Sequence, residues 1–594
     1  MRITKPKRLQ ISAKALTKNT DFNQRPVRLK MILFLIVLLS FAAHLAALAY
    51  YRIPGTINSE GAEYARIAEN LRNGVGYVGI ATPGAEVNFP PLYPLLIAGT
   101  SFLTHNYEWA GRAVAIILGA LVPLPAFGIA SQIFGRRVGF IAALLASLHP
   151  LLVNLSCAVL SEAPYATLLL LSVYVAIRAL NIQSVKLWGV AGAAFGLTYL
   201  LRAEATGIFA IVVLFALATT KDAMIARCKR AAIAILAFLV LASPQVIFLY
   251  KSTGKLRLEV KSSIFFYTAG RVLTAETTPG ISYETADGGQ EMASPAANID
   301  SWPRWEEKWA MYGIDSRCKG TGTAMRSFTA SVRDAQITPK DLSFLLKRIV
   351  QNGATVLHQL GSTWLGAPLL PALALLGALR RPWRGPRAPS RLFFSLVAAI
   401  PLLASPFALD PGEPRYSFIF VPLFCVWAAN GLFEVGLWTK ASAASAGWNV
   451  LARPTVAECI IPGIIGLAAV TIPLKAVRNL AEFTESALPT RVDKEVGLWI
   501  GRQQNRSVRI MDLQLPLAYH ARAQFSYFPY CTSDLALGYL DAAKIDYIIL
   551  RRGENFTKYY EKWLTQGISD SRAEVVHVSP AADAEFVIYR WRGT

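Results

Sequence analysis

Long apolar runs recur along the chain and are separated by short polar connections. A run of about 20 apolar residues spans the roughly 30 Å hydrocarbon core of a bilayer, because a helix rises about 1.5 Å per residue. The hydropathy pattern predicts eleven spans, at roughly 31–51, 110–133, 138–153, 157–181, 187–202, 203–220, 231–250, 360–379, 392–409, 417–438 and 457–476. The chain is therefore predicted to be a mainly α-helical, multi-pass membrane protein.

The composition agrees with this pattern. Of the 594 residues, 54% are hydrophobic and only 16% are charged, whereas soluble domains are roughly 25% charged. So few charges cannot coat a soluble surface around this much apolar mass. A cytosolic enzyme, a disordered chain and a fibrous protein are therefore excluded.

The net charge of +22 is concentrated where it can orient the chain. The first 30 residues hold nine Lys and Arg against one Asp, and the first apolar run follows at once. This pattern predicts a basic cytoplasmic tail over 1–30 that contacts anionic lipid rather than nucleic acid. The connection 380–391, with five Arg and no acid, falls on the same side. The N-terminus is therefore predicted to be cytoplasmic and, after eleven spans, the C-terminus extracytoplasmic.

The spans define a transmembrane domain over 31–476 with two large outer loops, 52–109 and 251–359. The apolar stretch 91–103 is too short to cross a bilayer, so we expect a helix that lies on the membrane or dips into it. The second loop ends at 341–357 with apolar residues at helical spacing, which predicts an interfacial helix.

The segment 477–594 has the composition of an ordinary globular domain. SVRIMDL, KIDYIIL, AEVVHV and AEFVIYRW are predicted strands, and the patterns at 491–504 and 555–566 are predicted helices. The segment contains no GxGxxG and no P-loop motif, so nucleotide binding gains no support. It is predicted to be a small extracytoplasmic α/β domain.

The first outer loop carries the most informative residues, in the stretch SEGAEYARIAENLRNGVGY. Its spacing predicts a helix whose apolar face includes Tyr64, Ile67, Ala68 and Leu71. Four charged residues are predicted to lie off that face: Glu60, Glu63, Arg66 and Glu69. A carboxylate in the first helical turn is stabilised by the helix N-terminus. A simple capping role for Glu60 therefore stands beside a functional one.

Other charges are predicted at the same outer face of the membrane. Glu162 lies at the start of the fourth span, Arg202 and Glu204 lie between the fifth and sixth, and Arg415 precedes Tyr416 at the tenth. Each could simply sit at the headgroup level. Together they are what a polar cavity for an anionic lipid headgroup needs, because burying an ionisable group at a helix end is costly without a role.

At this point the sequence resembles a family. SEGAEYARIAENLRNGVGY, PPLYPLLIAG, FGRRVGFIAALLASLHPLLV, SEAPY, LTYLLRAE and EPRYSFIFVPLF resemble, in that order, the motifs of the GT-C integral-membrane glycosyltransferases. The most similar branch includes protein O-mannosyltransferases and the aminoarabinose and galacturonic acid transferases that act on lipid A. The resemblance extends over roughly 30–440 and implies a GT-C-like transmembrane architecture.

The resemblance also implies a reaction. Such enzymes transfer a single sugar from a polyprenyl-phosphate carrier to a lipid, glycan or protein acceptor on the outer face. The first-loop acid of the family falls on Glu60 and the second acid on Glu162, so these two are the predicted catalytic residues. Arg202 and Arg415 are predicted to hold the donor phosphate. The motif residues predicted to contact substrate are Tyr64, Pro91, Tyr93 and Tyr416.

The chain departs from the family pattern at three positions. Glu60 stands where Asp is usual, Gly61 stands where a further acid is common, and Phe89 stands where the lipid A branch often has Lys. No metal motif is visible, although Glu60 and Glu162 could share a divalent cation, which prefers oxygen ligands. The expected site is a cleft between the two outer loops.

Two alternatives remain, one from another class of protein and one a related enzyme. A transporter or flippase would show inverted repeats and charges near the bilayer midplane. A ligase of lipid-linked glycans would share the topology but use a whole glycan on a pyrophosphate. The lipid A-like resemblance favours a bacterial inner membrane, with the bilayer, the sugar donor and its acceptor as partners.

Overall fold

A computed structural model gives the fold. It describes residues 26–51, 57–80, 85–218, 222–253, 256–259, 282–284, 290–292, 339–361, 368–380, 385, 387–404, 418–484, 487–503, 507–528, 533–552, 557–578 and 586–593. The aromatic-rich centre of the second outer loop, and the predicted site residues Arg415 and Tyr416, lie outside these ranges.

The N-terminal half is a series of helices. In chain order they are α1 (Pro26–Tyr51), α2 (Ser59–Arg72), α3 (Leu92–Thr104), α4 (Tyr107–Leu121), α5 (Pro123–Ile133), α6 (Arg136–Leu148), α7 (Pro150–Ser156), α8 (Glu162–Ile182), α9 (Val185–Tyr199), α10 (Ala205–Ala218) and α11 (Met224–Thr253). The two short strands β1 (Ser282–Glu284) and β2 (Gln290–Met292) follow and pair antiparallel. Helix α3 confirms the short apolar helix predicted in the first outer loop.

The second half of the transmembrane domain has fewer helices. They are α12 (Pro339–Leu360), α13 (Leu369–Leu379), α14 (Ala388–Ala404), α15 (Phe420–Ser445), a π-helical turn (Val456–Ile460) and α16 (Ile461–Thr484). Helix α12 coincides with the predicted interfacial helix. One buried core joins most of these helices to α2 through α11, so the first outer loop is part of the packed body.

Several of these helices can cross a membrane, and the chain is an integral membrane protein. In the described ranges, five helices are long and apolar enough: Val27–Ala49, Tyr107–Ile133, Glu162–Ile182, Met224–Ser252 and Phe420–Ser445. The pair α6 and α7 could form a sixth. The other predicted spans fall on shorter apolar helices, such as α10 and α13. The eleven spans predicted from hydropathy are therefore only partly matched by helices of full length.

The predicted span 138–153 is not one straight helix. Helices α6 and α7 are bent by 52° relative to each other. The break falls at His149 and Pro150, and His149 has an extended backbone. Proline lacks the N–H that would continue the helical ladder, and it disfavours a helical conformation in the residue before it. The hydropathy pattern did not distinguish a broken helix from a continuous one.

The tail forms the predicted α/β domain. Its strands are β3 (Arg509–Met511), β4 (Gln524–Ser526), β5 (Tyr547–Arg551), β6 (Ala573–Val578) and β7 (Phe586–Trp591), in the order β4-β3-β5-β7-β6. Strands β4, β3 and β5 are parallel, and β7 is antiparallel to both β5 and β6. Its helices are α17 (Ala487–Gln503), α18 (Pro516–His520), α19 (Ser533–Ala542) and α20 (Lys558–Gln566). The sequence analysis did not predict β4, α18 and α19, which are short.

A buried ion triad fastens α17 to the sheet of the tail. The guanidinium of Arg551, at the end of β5, donates to both carboxylate oxygens of Asp512 at 2.8 and 2.6 Å. It also lies 2.7 Å from the carboxylate of Asp493 on α17. All three side chains are buried. One cation thus pairs with two carboxylates. Burial raises the pKa of Asp493 to about 6, although the positive charge of Arg551 acts to lower it.

Replacing Asp493 by Asn is expected to change how the stability of the tail depends on pH. The pKa of Asp493 is higher in the folded state than its usual value of 3.8, so the folded state binds this proton more tightly. The contribution of the group to stability is therefore present at low pH and is lost as the pH rises from about 4 to about 6. Thermal unfolding of the purified protein across this window should show a Tm that falls as the pH rises. In Asp493→Asn, Tm should fall less over the same pH range. An identical slope in the variant would contradict this assignment.

Candidate active site

Helix α2 begins where its sequence provides a cap. The side chain of Asn58 accepts a hydrogen bond from the backbone N–H of Gly61 at 2.7 Å, which satisfies one of the open donors of the first turn. The capping role considered for Glu60 therefore belongs to Asn58. A Cβ on Gly61 would lie 2.9 Å from both Asn58 Oδ1 and the carbonyl oxygen of Val159. This close approach explains why position 61 carries no acidic side chain.

The hydroxyl of Tyr64 joins the first outer loop to the start of α8. It lies 3.3 Å from Oε1 of Glu60 and 3.1 Å from Oγ of Ser161. Burial, and then the negative charge of Glu60, raise the pKa of Tyr64 well above its usual value. The phenol therefore stays protonated, and its one hydrogen can be donated to the carboxylate of Glu60 or to Oγ of Ser161. Glu60 is thereby placed beside the segment that carries Glu162.

The second half of the site is Arg202, whose guanidinium contacts the carboxylates of Glu162 and Glu204. Nη1 of Arg202 lies 3.3 Å from Oε1 of Glu162, whose side chain is 1% exposed. Arg202 also contacts Glu204 at 3.0 Å, and that carboxylate is 53% exposed. The guanidinium lies over the rings of Tyr165 and Phe418, at 5.8 and 5.7 Å from their centroids. Arg202 is thus fixed in direction while it remains 16% exposed.

These groups border an open cleft. Tyr64, Ser161 and Arg202 line it. The remaining lining residues come from both outer loops and from the helix ends between them: Val87, Asn88, Pro90, Tyr199, Leu201, Ala203, Glu204, Gln245, Leu258 and Glu259. Because Leu258 and Glu259 begin the second outer loop, the described part of this cleft lies where the sequence predicted a site between the two loops.

One acid predicted to lie off the apolar face is in fact buried. Glu63 is 1% exposed, and its Oε2 accepts a hydrogen bond from the N–H of Ile80 at 2.8 Å. It fits because Gly79 has no side chain: a Cβ there would lie 1.7 Å from Oε1 of Glu63. Glu63 therefore anchors the chain that leads on to Val87 and Asn88 in the cleft wall.

Gly79→Ala is expected to lower stability and to disturb the cleft wall. The added methyl group would force the carboxylate of Glu63 away from the N–H of Ile80, and such disruption of a buried hydrogen bond costs about 1–3 kcal/mol. Thermal unfolding of the purified protein checks the loss. Gly207→Ala is a matched control, because a Cβ at Gly207 meets no atom within 4 Å. Equal Tm values for the two variants would contradict the packing described here.

Comparisons with known proteins concern the family and the fold. Residues 88–248 match the family model described as dolichyl-phosphate-mannose-protein mannosyltransferase. The fold is similar to that of ArnT from Cupriavidus metallidurans bound to undecaprenyl phosphate, with a TM-score of 0.53 and 13% identity over 93% of this chain and 97% of that one. The chain has the fold of the GT-C glycosyltransferases.

A second GT-C neighbour is the archaeal oligosaccharyltransferase AglB from Archaeoglobus fulgidus, in complex with an inhibitory peptide and a dolichol-phosphate. The TM-score is 0.54, with 14% identity over 88% of this chain and 69% of that one. No curated protein matches the chain in sequence. The family resemblance inferred from the ordered motifs is therefore confirmed, and its evidence is the family model together with the fold.

The PPLYP motif, which resembles a GT-C motif, packs around the site. Pro90, rather than Pro91, lines the cleft. Tyr93 is fully buried, and its hydroxyl donates to the carbonyl of Gly111 at 3.0 Å. Its ring packs edge-on against Tyr64 at 4.9 Å. The backbone N–H of the preceding residue, Leu92, donates to the carbonyl of Leu200 at 2.9 Å, which ties the motif to the connection that carries Arg202.

Phe89, which replaces the lysine of the lipid A branch, packs against the other side of Tyr64. The two ring centroids are 4.9 Å apart in an edge-to-face arrangement. Tyr64 is thus held between two aromatic rings, Phe89 and Tyr93. An apolar residue at position 89 therefore completes the packing of the phenol that contacts Glu60.

The sequence analysis did not select five of the polar residues at this cleft. They are Asn88, Ser161, Tyr199, Gln245 and Glu259. Ser161 is adjacent to Glu162, so its place in SEAPY was a signal. Gln245 follows Pro244 inside the 30-residue helix α11, and a polar side chain within a long apolar span is itself an indication of function. Tyr199 and Glu259 had no comparable signal.

The described acids do not form an evident metal centre. A metal site would need three or more ligating side chains in a cluster, and no such group of His, Cys, Asp or Glu occurs within the described ranges. Glu162 lies against Arg202, and Glu60 accepts from Tyr64. A guanidinium and a phenol beside the two carboxylates do not fit the shared divalent cation considered from the sequence.

Proposed function

We propose that the chain transfers a single sugar from a polyprenyl-phosphate carrier to a lipid, glycan or protein acceptor on the outer face of the membrane. The observation that carries the proposal is the position of Arg202 at the cleft. It is held by the buried Glu162 and faces the segment that carries Glu60. A cation in the cleft wall, and a carboxylate that contacts the cleft-lining phenol of Tyr64, can serve the two ends of a glycosyl transfer.

Arg202 serves the donor. When the bond between the sugar and the phosphate oxygen breaks, the electron pair stays with the phosphate, and its negative charge grows. A guanidinium matches phosphate geometry with two parallel donors. Because Glu162 and the rings of Tyr165 and Phe418 hold Arg202 in place, this stabilisation requires little reorganisation during the reaction.

Glu60 serves the acceptor. Its carboxylate takes the proton of the attacking hydroxyl while the acceptor oxygen bonds to the anomeric carbon. Tyr64 orients the carboxylate through the contact at 3.3 Å, and Ser161 in turn fixes the phenol at 3.1 Å. Glu60 is the proposed general base, Arg202 the donor-binding residue, and Glu162, Tyr64 and Tyr93 are positioning residues.

The solved neighbours support the donor class. ArnT was solved with undecaprenyl phosphate and AglB with a dolichol-phosphate, both isoprenoid phosphates. For this chain we propose the topology predicted by its charges: a cytoplasmic N-terminus, an extracytoplasmic tail and a bacterial inner membrane. Arg415 and Tyr416, which precede α15, remain proposed contacts of the donor.

The test is a transfer assay with the purified protein in proteoliposomes. A panel of radiolabelled sugars is supplied on polyprenyl monophosphate and, in parallel, on polyprenyl pyrophosphate, with a membrane extract as the source of acceptors. We expect label to appear on an acceptor only from a monophosphate donor. Transfer from pyrophosphate donors alone would favour a ligase of lipid-linked glycans, and transfer from neither would contradict the proposal.

A further inference from the structure

The tail domain contacts the first outer loop directly beside the proposed base. The backbone N–H of Leu515, at the start of α18, lies 3.4 Å from Oγ of Ser59, which precedes Glu60. Two helical turns further along α2, Nη2 of Arg66 donates to the carbonyl of Tyr519 at 3.0 Å. Its guanidinium also lies 5.8 Å from the centroid of the Tyr519 ring. Both ends of α18 are therefore joined to α2.

A second line of contacts runs from the tail towards Glu162. Nζ of Lys494 on α17 lies 3.8 Å from Oε2 of Glu108, which is 2% exposed. The other oxygen of Glu108 lies 3.2 Å from Nη2 of Arg112, which is 1% exposed. Nη1 of Arg112 donates to the carbonyl of Cys157 at 2.9 Å. That carbonyl belongs to the connection between α7 and α8, which leads to Ser161 and Glu162.

The two lines of contacts meet inside the tail. Lys494 follows Asp493, which Arg551 holds to the sheet through the buried triad. Helices α17 and α18 also pack directly on each other: Gly497 approaches the carbonyl of Leu517 so closely that a Cβ would lie 2.7 Å from it. The tail thus presents two contact points on one folded unit, and each reaches a segment that carries one of the two proposed acids.

We infer that the tail domain is a positioning element for the reaction. By holding α2 and the connection before α8, it keeps the carboxylates of Glu60 and Glu162 in fixed positions beside the cleft residues Tyr64 and Arg202. Arg66 is its principal positioning residue on α2. This inference rests on the proposed function, because it is the proposed reaction that requires the two carboxylates to keep these positions.

Small displacements at such a site have large effects. A displacement of about 1 Å in a group that must meet a reacting atom can cost on the order of 100-fold in rate. Helix α2 has only 14 residues, and isolated helices of that length are marginal in water. Contacts with α3, α4 and the tail must therefore supply its order.

Arg66→Met in the full-length protein tests the inference. The variant keeps the aliphatic volume but removes the donor to Tyr519 and the charge over its ring. We expect kcat for sugar transfer to fall about 10- to 100-fold with the donor KM little changed, since Arg66 contacts no part of the cleft lining listed above. Amide hydrogen exchange of α2 should become faster, and Arg66→Lys should recover part of both properties.

The matched control is Arg72→Met on the same helix. Arg72 contacts Ser101 and the ring of Phe102 on α3 rather than the tail, so kcat should stay near that of the unmodified protein.

An unchanged rate of amide hydrogen exchange of α2 in Arg66→Met would overturn the role of the tail, whether or not the protein is active. Faster exchange with unchanged kcat would overturn the positioning role and leave the proposed function intact. Absence of transfer by the unmodified protein would instead count against the proposed function.

Discussion

Replacing Glu60 by Gln is expected to reduce sugar transfer about 100- to 10,000-fold, the usual contribution of a general base. The amide of Gln can still accept a hydrogen bond from Tyr64, which lies 3.3 Å from the carboxylate. The cleft should therefore keep its shape while it loses the group that takes the proton of the acceptor. Donor binding should change little, because the proposed phosphate contact is Arg202.

The measurement is the initial rate of label transfer in proteoliposomes at saturating donor. Glu561→Gln provides a control with the same chemical change at an exposed position on α20 of the tail. Transfer by Glu60→Gln at the rate of this control would contradict the assignment of the base. Attention would then move to Glu162, the second acid at the cleft.

Arg551→Leu is expected to unfold the tail domain or to destabilise it by about 3–5 kcal/mol, the usual cost of removing one partner from a buried ion pair. Two buried carboxylates, those of Asp493 and Asp512, would lose the cation between them. Leucine cannot compensate with hydrogen bonds. The loss is a large fraction of the 5–15 kcal/mol that typically stabilises a folded domain.

Pulse proteolysis of the purified protein in urea measures this change, with fragments of the tail as the readout. Arg592→Leu is the control, since Arg592 is 67% exposed and pairs with a half-exposed Glu574. A surface substitution of this kind usually changes stability by less than about 0.5 kcal/mol. Equal protease resistance in both variants would contradict the structural role of the triad.

Hydrophobic periodicity predicted the helical class, the short helix α3 and the α/β tail. It succeeded there because each element has a strong local signature, such as the alternating or continuous apolar residues of β5 and β7. It did not resolve the break between α6 and α7. A proline in an apolar run can kink a helix or end it, and the outcome depends on packing that lies far away in sequence.

The active-site prediction depended on the order of the motifs along the chain and on the predicted position of their charges at one face of the membrane, rather than on any single motif. The charge pattern placed Glu60, Glu162 and Arg202 at one face, and the structure brings them together through Tyr64 and Ser161. The sequence could not indicate that Glu63 is buried, because its partner, the N–H of Ile80, lies beyond the end of α2. Nor could it indicate the contact between Arg66 and Tyr519, which are 453 residues apart. Contacts between polar groups that are far apart in the sequence produce no periodic pattern in it.

The most direct test of the central claim is the chemical state of the carrier after incubation. Proteoliposomes are given one labelled polyprenyl-phosphate sugar with its acceptor, and the lipids are then analysed by mass spectrometry. A glycosyltransferase must release free polyprenyl phosphate in equal amount to the glycosylated acceptor, and this is the predicted result. Donor recovered intact, with neither free polyprenyl phosphate nor glycosylated acceptor, would contradict the account.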